Sequence, residues 1–183
     1  MKISIHPATQ LTIEDVVKNE KKEGGGSFYL ETPFLKLNKF NIGKYNSVDV
    51  PSSTVQFHTH SSHCPNNVCL IGVPSPADIG EFKEAVWARE TVVHCVYAEE
   101  GTYCMRNIGA EPPSGSSWKG KLVRDLKAFR NKQTKVSFLR HEGPEKYEHF
   151  QNQWRKRVRK CGIDIEFYPV GMCPQFSLEE CVR

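Results

Sequence analysis

Two histidines and an aspartate, His58, His60 and Asp78, are the residues with the clearest metal-site chemistry. The histidines end the run Thr54-Val55-Gln56-Phe57-His58-Thr59-His60, which predicts a β-strand. Side chains at positions i and i+2 of a strand point to the same face, so both imidazoles can converge on one point. Asp78 lies 18 residues after His60. Two neutral imidazoles and one carboxylate suit Zn²⁺ and leave a fourth tetrahedral position for water, as in catalytic zinc sites.

Ser75 is predicted to cap the helix on which Asp78 lies. Pro76 fits the first helical turn, where its missing N–H is not needed, and Ser75 can accept a hydrogen bond from the next turn. Each piece has an ordinary interpretation: most such helix starts do nothing else, and paired histidines in a strand arise by chance. The two interpretations of Ser75 are compatible, because a capped helix start is a rigid place from which to orient a carboxylate. The combination of these pieces in this order along the chain favours a metal site.

The order His58-Thr59-His60 followed by Ser75-Pro76-Ala77-Asp78 resembles the signature of the JAMM metalloproteases, also called MPN+ or JAB-type. Many members of that family cut isopeptide bonds to ubiquitin-like proteins. The spacer between the two motifs has 14 residues here, longer than is usual in the family, but a loop insertion adds little closure entropy. The resemblance covers about residues 10–110. It implies a cytidine-deaminase-like αβ sandwich with a central mixed sheet and one zinc ion per chain.

The family also implies a glutamate as general base, shortly after the first helix and followed by glycine. Glu23-Gly24-Gly25-Gly26 matches this pattern. Glu31 is the competing candidate, because the mechanism only demands a carboxylate within reach of the water. Glu23 is preferred, although a solvated residue at a charged helix end is its ordinary interpretation. The resemblance assigns Ser75 as a hydrogen-bond donor to the oxyanion of the tetrahedral intermediate.

Other residues with metal or acid–base chemistry carry weaker patterns. The insertion between the motifs holds His63, Cys64 and Cys69, but their spacing is unusual for zinc and a fourth ligand is lacking. The insertion is therefore interpreted as a loop with packed or exposed thiols, which in this family would border the substrate groove. His94, in an apolar strand, is interpreted as a core histidine.

The elements that must position these residues alternate between strands and helices, which predicts a mixed α/β sandwich. A first helix is predicted to begin at Thr12 and to end at the glycines 24–26. The remaining predicted elements are strands at 3–5, 27–31, 34–37, 48–50, 54–60, 91–97, 102–105 and 163–167, and helices beginning at 75, 117 and 144.

The chain is expected to form a JAMM/MPN-like core at residues 1–110 and a basic helical extension at 111–183, ending in a strand and packed on the same domain. A linker is predicted at 111–116. Between Trp118 and Lys160 there are 14 Lys and Arg residues against four acidic ones. The run 155–160 resembles a nuclear-localisation or nucleic-acid patch. Its ordinary interpretation is a solvated helix face, and Phe150 and Trp154 have core spacing rather than that of stacking platforms.

Composition indicates an ordinary globular protein with 38% hydrophobic and 25% charged residues. No apolar run approaches a membrane span and residues 1–6 do not resemble a signal peptide, so no membrane partner is expected. The seven cysteines predict free thiols in a reducing compartment, the cytoplasm or nucleus. The unusual loop and unfamiliar C-terminal half suggest a divergent lineage such as a large virus or phage, which would place the protein in the host cell.

The resulting hypothesis is a zinc-dependent peptidase or isopeptidase acting on ubiquitin, a ubiquitin-like modifier or another protein. One alternative is a catalytically inactive JAMM-fold module that binds proteins. The other, less favoured, is a nucleic-acid-binding protein that uses the basic C-terminal half.

Overall fold

The computed structural model describes residues 1–45, 47–61, 71–109, 117–133 and 144–182. In these residues there are eight strands and five helices. The strands are β1 (Lys2–Ile5), β2 (Gly24–Glu31), β3 (Phe34–Ile42), β4 (Val55–Thr59), β5 (Val93–Ala98), β6 (Gly101–Asn107), β7 (Ile163–Pro169) and β8 (Gln175–Ser177). The helices are α1 (Pro7–Asn19), α2 (Pro76–Trp87), α3 (Trp118–Gln133), α4 (Pro144–Arg159) and α5 (Leu178–Cys181). No helix in this described part is long and apolar enough to cross a membrane.

The strands form one mixed sheet in the order β7-β6-β5-β4-β2-β3-β1-β8. The β4–β5 and β1–β3 pairs are parallel, and the other neighbours are antiparallel. The predicted mixed α/β architecture with a central mixed sheet is therefore confirmed. β4 lies between β2 and β5, and all five of its residues are buried. The strand that carries the paired histidines is thus held by hydrogen bonds on both edges.

Helices cover both faces of the sheet, and each face has its own hydrophobic core. In β5, Cys95 and Tyr97 belong to one core, which α1 covers with Ile13 and Val17. Val96 and Ala98, on the opposite face of the same strand, belong to the other core. That second core receives apolar side chains from α2, α3 and α4, including Ile79, Phe82, Leu126, Phe150, Trp154 and Val158. The alternation of strand side chains therefore produces three layers, with α2–α4 on the face opposite α1.

The C-terminal part of the chain is built into this sheet and core. β7 pairs with β6 from Gly101↔Pro169 to Asn107↔Ile163. Ile163 and Ile165 enter the same core as α2. The segment predicted as a linker, 111–116, lies outside the described residues. Where the structure describes them, α3, α4 and the first part of β7 thus share a core with α2, whereas Tyr168 and Phe176 enter the core on the α1 side.

The first helix begins earlier than predicted, so the prediction of Thr12 as its N-cap is wrong. α1 starts at Pro7, and the His6 Nδ1 accepts a hydrogen bond from the Ala8 N–H at 3.2 Å. Thr12 lies inside the helix, where its hydroxyl donates to the Ala8 carbonyl oxygen. Proline fixes the backbone angle of a first turn, and here histidine replaces the more common capping residues.

The glycines 24–26 do not end α1, which stops at Asn19; they begin β2. The reason is close packing, since a Cβ on Gly26 would overlap the Lys39 carbonyl oxygen on β3. β3 extends to Ile42, well beyond the predicted end at Leu37. The strand predicted at 48–50 is wrong, because these residues are irregular.

The prediction of free thiols is wrong for two cysteines. Cys95 and Cys104 form a disulfide between β5 and β6, with their Cα atoms 4.1 Å apart. They are direct cross-strand partners in the antiparallel register, a relationship that the sequence does not display. Among the described residues, Cys161, Cys173 and Cys181 are free, as predicted.

Candidate metal centre

His58 and His60 point to the face of the sheet that α2 covers. Val55 and Phe57, on alternate positions of β4, enter the core on the α1 side. The histidines therefore project from the opposite face, as the strand period predicts. His58 is 6% exposed, whereas the His60 side chain is 20% exposed at the end of the strand. The pair thus reaches from the protein interior towards the surface.

Asp78 approaches the histidines from the first turn of α2. The Ser75 hydroxyl accepts from the Asp78 N–H at 3.2 Å, and Asp78 Oδ2 accepts from the Ser75 N–H at 2.5 Å. This reciprocal capping box fixes the carboxylate relative to the helix end. Ser75 is therefore the N-cap, as predicted, and its two hydrogen bonds with Asp78 hold that residue in one orientation.

The three candidate ligands converge on one point. His58 Nε2 lies 3.1 Å from His60 Nε2 and 3.4 Å from Asp78 Oδ1, and His60 Nε2 lies 3.3 Å from Asp78 Oδ2. Ligands of a tetrahedral Zn²⁺ with bonds of ~2.0–2.1 Å lie about 3.3 Å from one another. The histidines approach this spacing to each other and to the two carboxylate oxygens, and one ligand atom from each residue lies within 4.8 Å of the others, so His58, His60 and Asp78 can hold a metal ion.

Each histidine is fixed through its second ring nitrogen. His60 Nδ1 lies 3.0 Å from the Gly72 carbonyl oxygen, to which it donates. Gly72 is held in turn, since its N–H donates to Glu100 Oε1 at 2.6 Å. An Nδ1–H on His60 leaves its Nε2 with a lone pair, which a metal ligand requires. Such outer partners orient the rings of metal-binding histidines.

His58 has a different outer partner, the imidazole of His94. Its Nδ1 lies 2.6 Å from His94 Nε2, and His94 Nδ1 lies 3.0 Å from Gln56 Nε2. The parallel β4–β5 register places Gln56 beside His94. The interpretation of His94 as a core residue is correct for its burial, at 7% exposed, but it missed this contact with a candidate ligand. A polar residue within the apolar strand Val93–Ala98 was the available signal.

The protonation states follow from burial and from mutual attraction. Burial opposes ionisation of Asp78, but the adjacent His58 and His60 outweigh it and hold the pKa of Asp78 well below its usual value. Burial also opposes the charged form of His60, yet Asp78 and, more weakly, Glu23 raise the pKa of His60 overall. Burial and the nearby His58 lower the pKa of His94 to about 3, so His94 is neutral at physiological pH.

Glu23 lies beside the candidate ligands, whereas Glu31 does not. The β2–β4 register pairs Gly25 with His58, which brings Glu23, two residues earlier, to the end of β4 that carries the ligands. Burial raises the pKa of Glu23, while the charges of His60, His58 and Asp78 also act on it. Glu31 is exposed and pairs with Lys36 at 2.5 Å. Of the two carboxylates considered from the sequence, only Glu23 shares an environment with the three ligands.

A cavity of about 460 Å³ opens beside the ligands. It lies between the irregular segment 47–52 and α2, and Glu23, His58, Asp78 and His94 line it. Val48 and Val50 stand over Gly25, where a Cβ would contact them at 3.0–3.1 Å. The candidate carboxylate base and two of the three ligands therefore face one shared space.

Several residues singled out in the sequence play no part in this geometry. His63, Cys64 and Cys69 lie outside the described residues. His149 is exposed, and His6 caps α1. In the basic run on α4, the Arg155 guanidinium donates to the Ile165 carbonyl oxygen at 2.6 Å, and Arg159 pairs with Asp164 at 2.6 Å. Two of the basic side chains therefore connect α4 to β7.

Comparison of this chain with protein-family models, with curated proteins and with solved structures returned no match.

Proposed function

We propose that this protein is a JAMM-like zinc hydrolase that cuts peptide or isopeptide bonds. The observation that carries the proposal is the convergence of His58, His60 and Asp78 at separations of 3.1–3.4 Å, with Glu23 lining the cavity beside them. Ligand atoms at this spacing, a half-buried carboxyl group and an adjoining cavity are what metal-assisted hydrolysis requires. The mixed α/β fold agrees with the architecture that the motif resemblance implies, although that fold class is shared by many other proteins.

In this proposal the chain's own residues have distinct roles. His58, His60 and Asp78 hold one Zn²⁺ per chain. When bound, the ion supplies a Lewis acid that lowers the pKa of water towards neutrality. Glu23 accepts a proton from the attacking water at its carboxylate and can return it to the leaving amine. Ser75 donates a hydrogen bond to the developing oxyanion, because its oxygen can accept from the Asp78 N–H while its own proton stays free.

The proposed substrate is a ubiquitin-like or other protein whose extended tail reaches the site. This substrate class rests on the resemblance of the two motifs to the JAMM signature. In this proposal the tail adds as an extended strand beside the central sheet, next to the cavity between segment 47–52 and α2.

The proposal is tested by the zinc content of protein purified without added metal. The wild type is expected to contain one zinc per chain, and the double variant His58→Ala/His60→Ala none, with the fold intact by circular dichroism. His149→Ala, which removes an exposed histidine, is the control and should keep its zinc. Hydrolysis of ubiquitin-like conjugates is then compared across the three proteins.

The alternatives give different results in the same experiment. Absence of zinc in every protein, even after reloading, would refute the hydrolase and favour an inactive JAMM-fold module that binds proteins. Zinc retained in the double variant would direct attention to Cys64 and Cys69. Binding to DNA or RNA that weakens steeply with salt would support the third candidate, a nucleic-acid-binding protein.

A further inference from the structure

The orientation of the Gln56 amide, whose nitrogen faces His94, sets a direction for the hydrogen bonds behind His58, and this direction opposes metal binding. The Gln56 amide nitrogen can only donate, so His94 Nδ1, 3.0 Å away, must accept. A neutral imidazole carries one N–H, and the proton of His94 is therefore on Nε2. That N–H donates to His58 Nδ1 at 2.6 Å. The proton of His58 is consequently on Nε2, the atom that faces His60 and Asp78.

This direction is consistent along the whole chain of contacts. The His58 Nε2–H can donate to His60 Nε2 at 3.1 Å, because His60 has its own proton on Nδ1 and donates to the Gly72 carbonyl oxygen. Every donor thus meets an acceptor from Gln56 through His94, His58 and His60. This arrangement places a proton on a nitrogen that must offer a lone pair to a metal.

We propose that metal binding reverses the chain His58–His94–Gln56, with a change of tautomer at both imidazoles and a half-turn of the Gln56 amide. The inference rests on the metal centre of the proposed function. In the metal-bound state His58 donates from Nδ1 to His94 Nε2, and His94 donates from Nδ1 to Gln56 Oε1. Each imidazole carries one proton before and after, so the tautomer change itself releases none. His94 and Gln56 are positioning residues that act on the metal through His58.

The two buried side chains are suited to this reversal. Gln56 and His94 are each 7% exposed, so water does not readily replace either partner. The glutamine amide carries an NH₂ donor and a carbonyl acceptor of nearly equal size on one planar group. Rotation of the side chain about its Cγ–Cδ bond interchanges the two. Glutamine can therefore donate to His94 Nδ1 in one state and accept from it in the other. A carboxylate can only accept, as the metal-bound state requires.

The reversal is tested by long-range ¹H–¹⁵N correlation spectra of the histidine side chains, with and without zinc chloride. In metal-free protein His58 and His94 are expected to carry their protons on Nε2, and His60 on Nδ1. On addition of Zn²⁺ all three are expected to carry them on Nδ1. Single variants His58→Gln, His60→Gln and His94→Gln assign the signals by their loss.

Gln56→Glu tests the direction without relying on loss of structure. Its carboxylate can only accept, so His94 is expected to carry Nδ1–H before zinc is added, and the zinc dissociation constant at pH 8 should fall about tenfold. Gln56→Met has a similar length and lacks polar atoms, so it is the matched control. It is expected to bind zinc more weakly than the wild type, because the His94 Nδ1–H then lacks an acceptor.

The outcomes separate this inference from the metal centre itself. If Zn²⁺ shifts the signals of His58 and His60 while His94 keeps its Nε2–H, the reversal is wrong and the metal centre stands. Equal zinc affinity in Gln56→Glu, Gln56→Met and the wild type would also overturn it. If Zn²⁺ leaves His58 and His60 unchanged, both the inference and the proposed function fail.

Discussion

The indole N–H of Trp154, on α4, donates to the carbonyl oxygen of Pro74 at 3.0 Å. Pro74 directly precedes Ser75, which caps the helix that carries Asp78. Trp154 is 1% exposed and packs against Phe150 and Phe129 in the core on that face. The C-terminal helices therefore support the backbone from which a candidate metal ligand is aimed.

Trp154→Phe is expected to weaken both the fold and metal binding. It removes one buried hydrogen bond and leaves the Pro74 oxygen without this donor, which costs about 1–3 kcal/mol. The free energy of unfolding from urea titration and the zinc dissociation constant measure the two effects. Trp118→Phe, which alters a partly exposed indole packed on Trp87, is the control. Equal zinc affinity in the two variants would show that the Pro74 contact does not position Asp78.

Gly72 is a second point at which backbone supports the site. Its carbonyl oxygen accepts from His60 Nδ1, and a Cβ at this position would overlap the Cβ of Ala98 on β5. Gly72→Ala is therefore expected to displace the carbonyl and to weaken zinc binding by about 10–100-fold, the range for loss of an outer partner. Isothermal titration with zinc chloride measures the change.

The matched control for Gly72→Ala is the double variant Gly72→Ala/Ala98→Gly. The second substitution removes the methyl group that the new Cβ would strike, and the Gly72 backbone does not have a positive φ that would exclude alanine. Zinc affinity should return towards the wild-type value. A double variant as weak as the single one would contradict a purely steric explanation.

Elements defined by local periodicity could be predicted, and those defined by tertiary packing could not. The capped helix at Ser75 and the strand at Ile163 are where the pattern indicates them. The sequence predicts that the glycines 24–26 end the first helix, because glycine readily adopts a left-handed conformation. In the structure these glycines allow β2 to pack closely against residues of the paired strands β3 and β4. That requirement depends on the neighbouring strands and not on the local sequence.

The same distinction applies to the site. His58, His60 and Asp78 could be predicted because one strand period and one helix cap bring them together. The contact of His94 with His58 depends on the parallel pairing of β4 with β5, which requires knowledge of the strand order. Glu23 could be preferred over Glu31 from the motif, but only the pairing of β2 with β4 brings it beside the ligands.

Glu23→Gln is expected to abolish hydrolysis while leaving zinc bound. Loss of a general base lowers the rate by about 10²–10⁴-fold, and the three ligands remain. Turnover of a ubiquitin-like conjugate and metal content are measured on the same samples. Glu31→Gln, at the exposed competitor, should keep full activity. The reverse pattern would identify Glu31 as the base.

The same two glutamates are expected to affect stability in opposite directions in metal-free protein. Burial raises the pKa of Glu23 above its ordinary value of 4.5, so folding favours the protonated form. This contribution to stability is present below pH 4.5 and is lost as pH rises through the folded-state pKa. Glu23→Gln resembles the protonated acid and should therefore have a higher melting temperature than the wild type at pH 7, with the difference disappearing near pH 4.

Glu31 provides the control for that pH dependence. Its hydrogen bond with Lys36 lowers the pKa of Glu31 below 4.5, so the stability it contributes is present above pH 4.5 and is lost as pH falls through the folded-state pKa. Glu31→Gln should slightly lower the melting temperature at pH 7 and have no effect in strong acid. Thermal unfolding of the metal-free proteins at pH 3, 4 and 7 distinguishes the two. If Glu23→Gln were less stable than the wild type at pH 7, the idea that the half-buried Glu23 carboxylate is kept for chemistry at a cost to folding would be wrong.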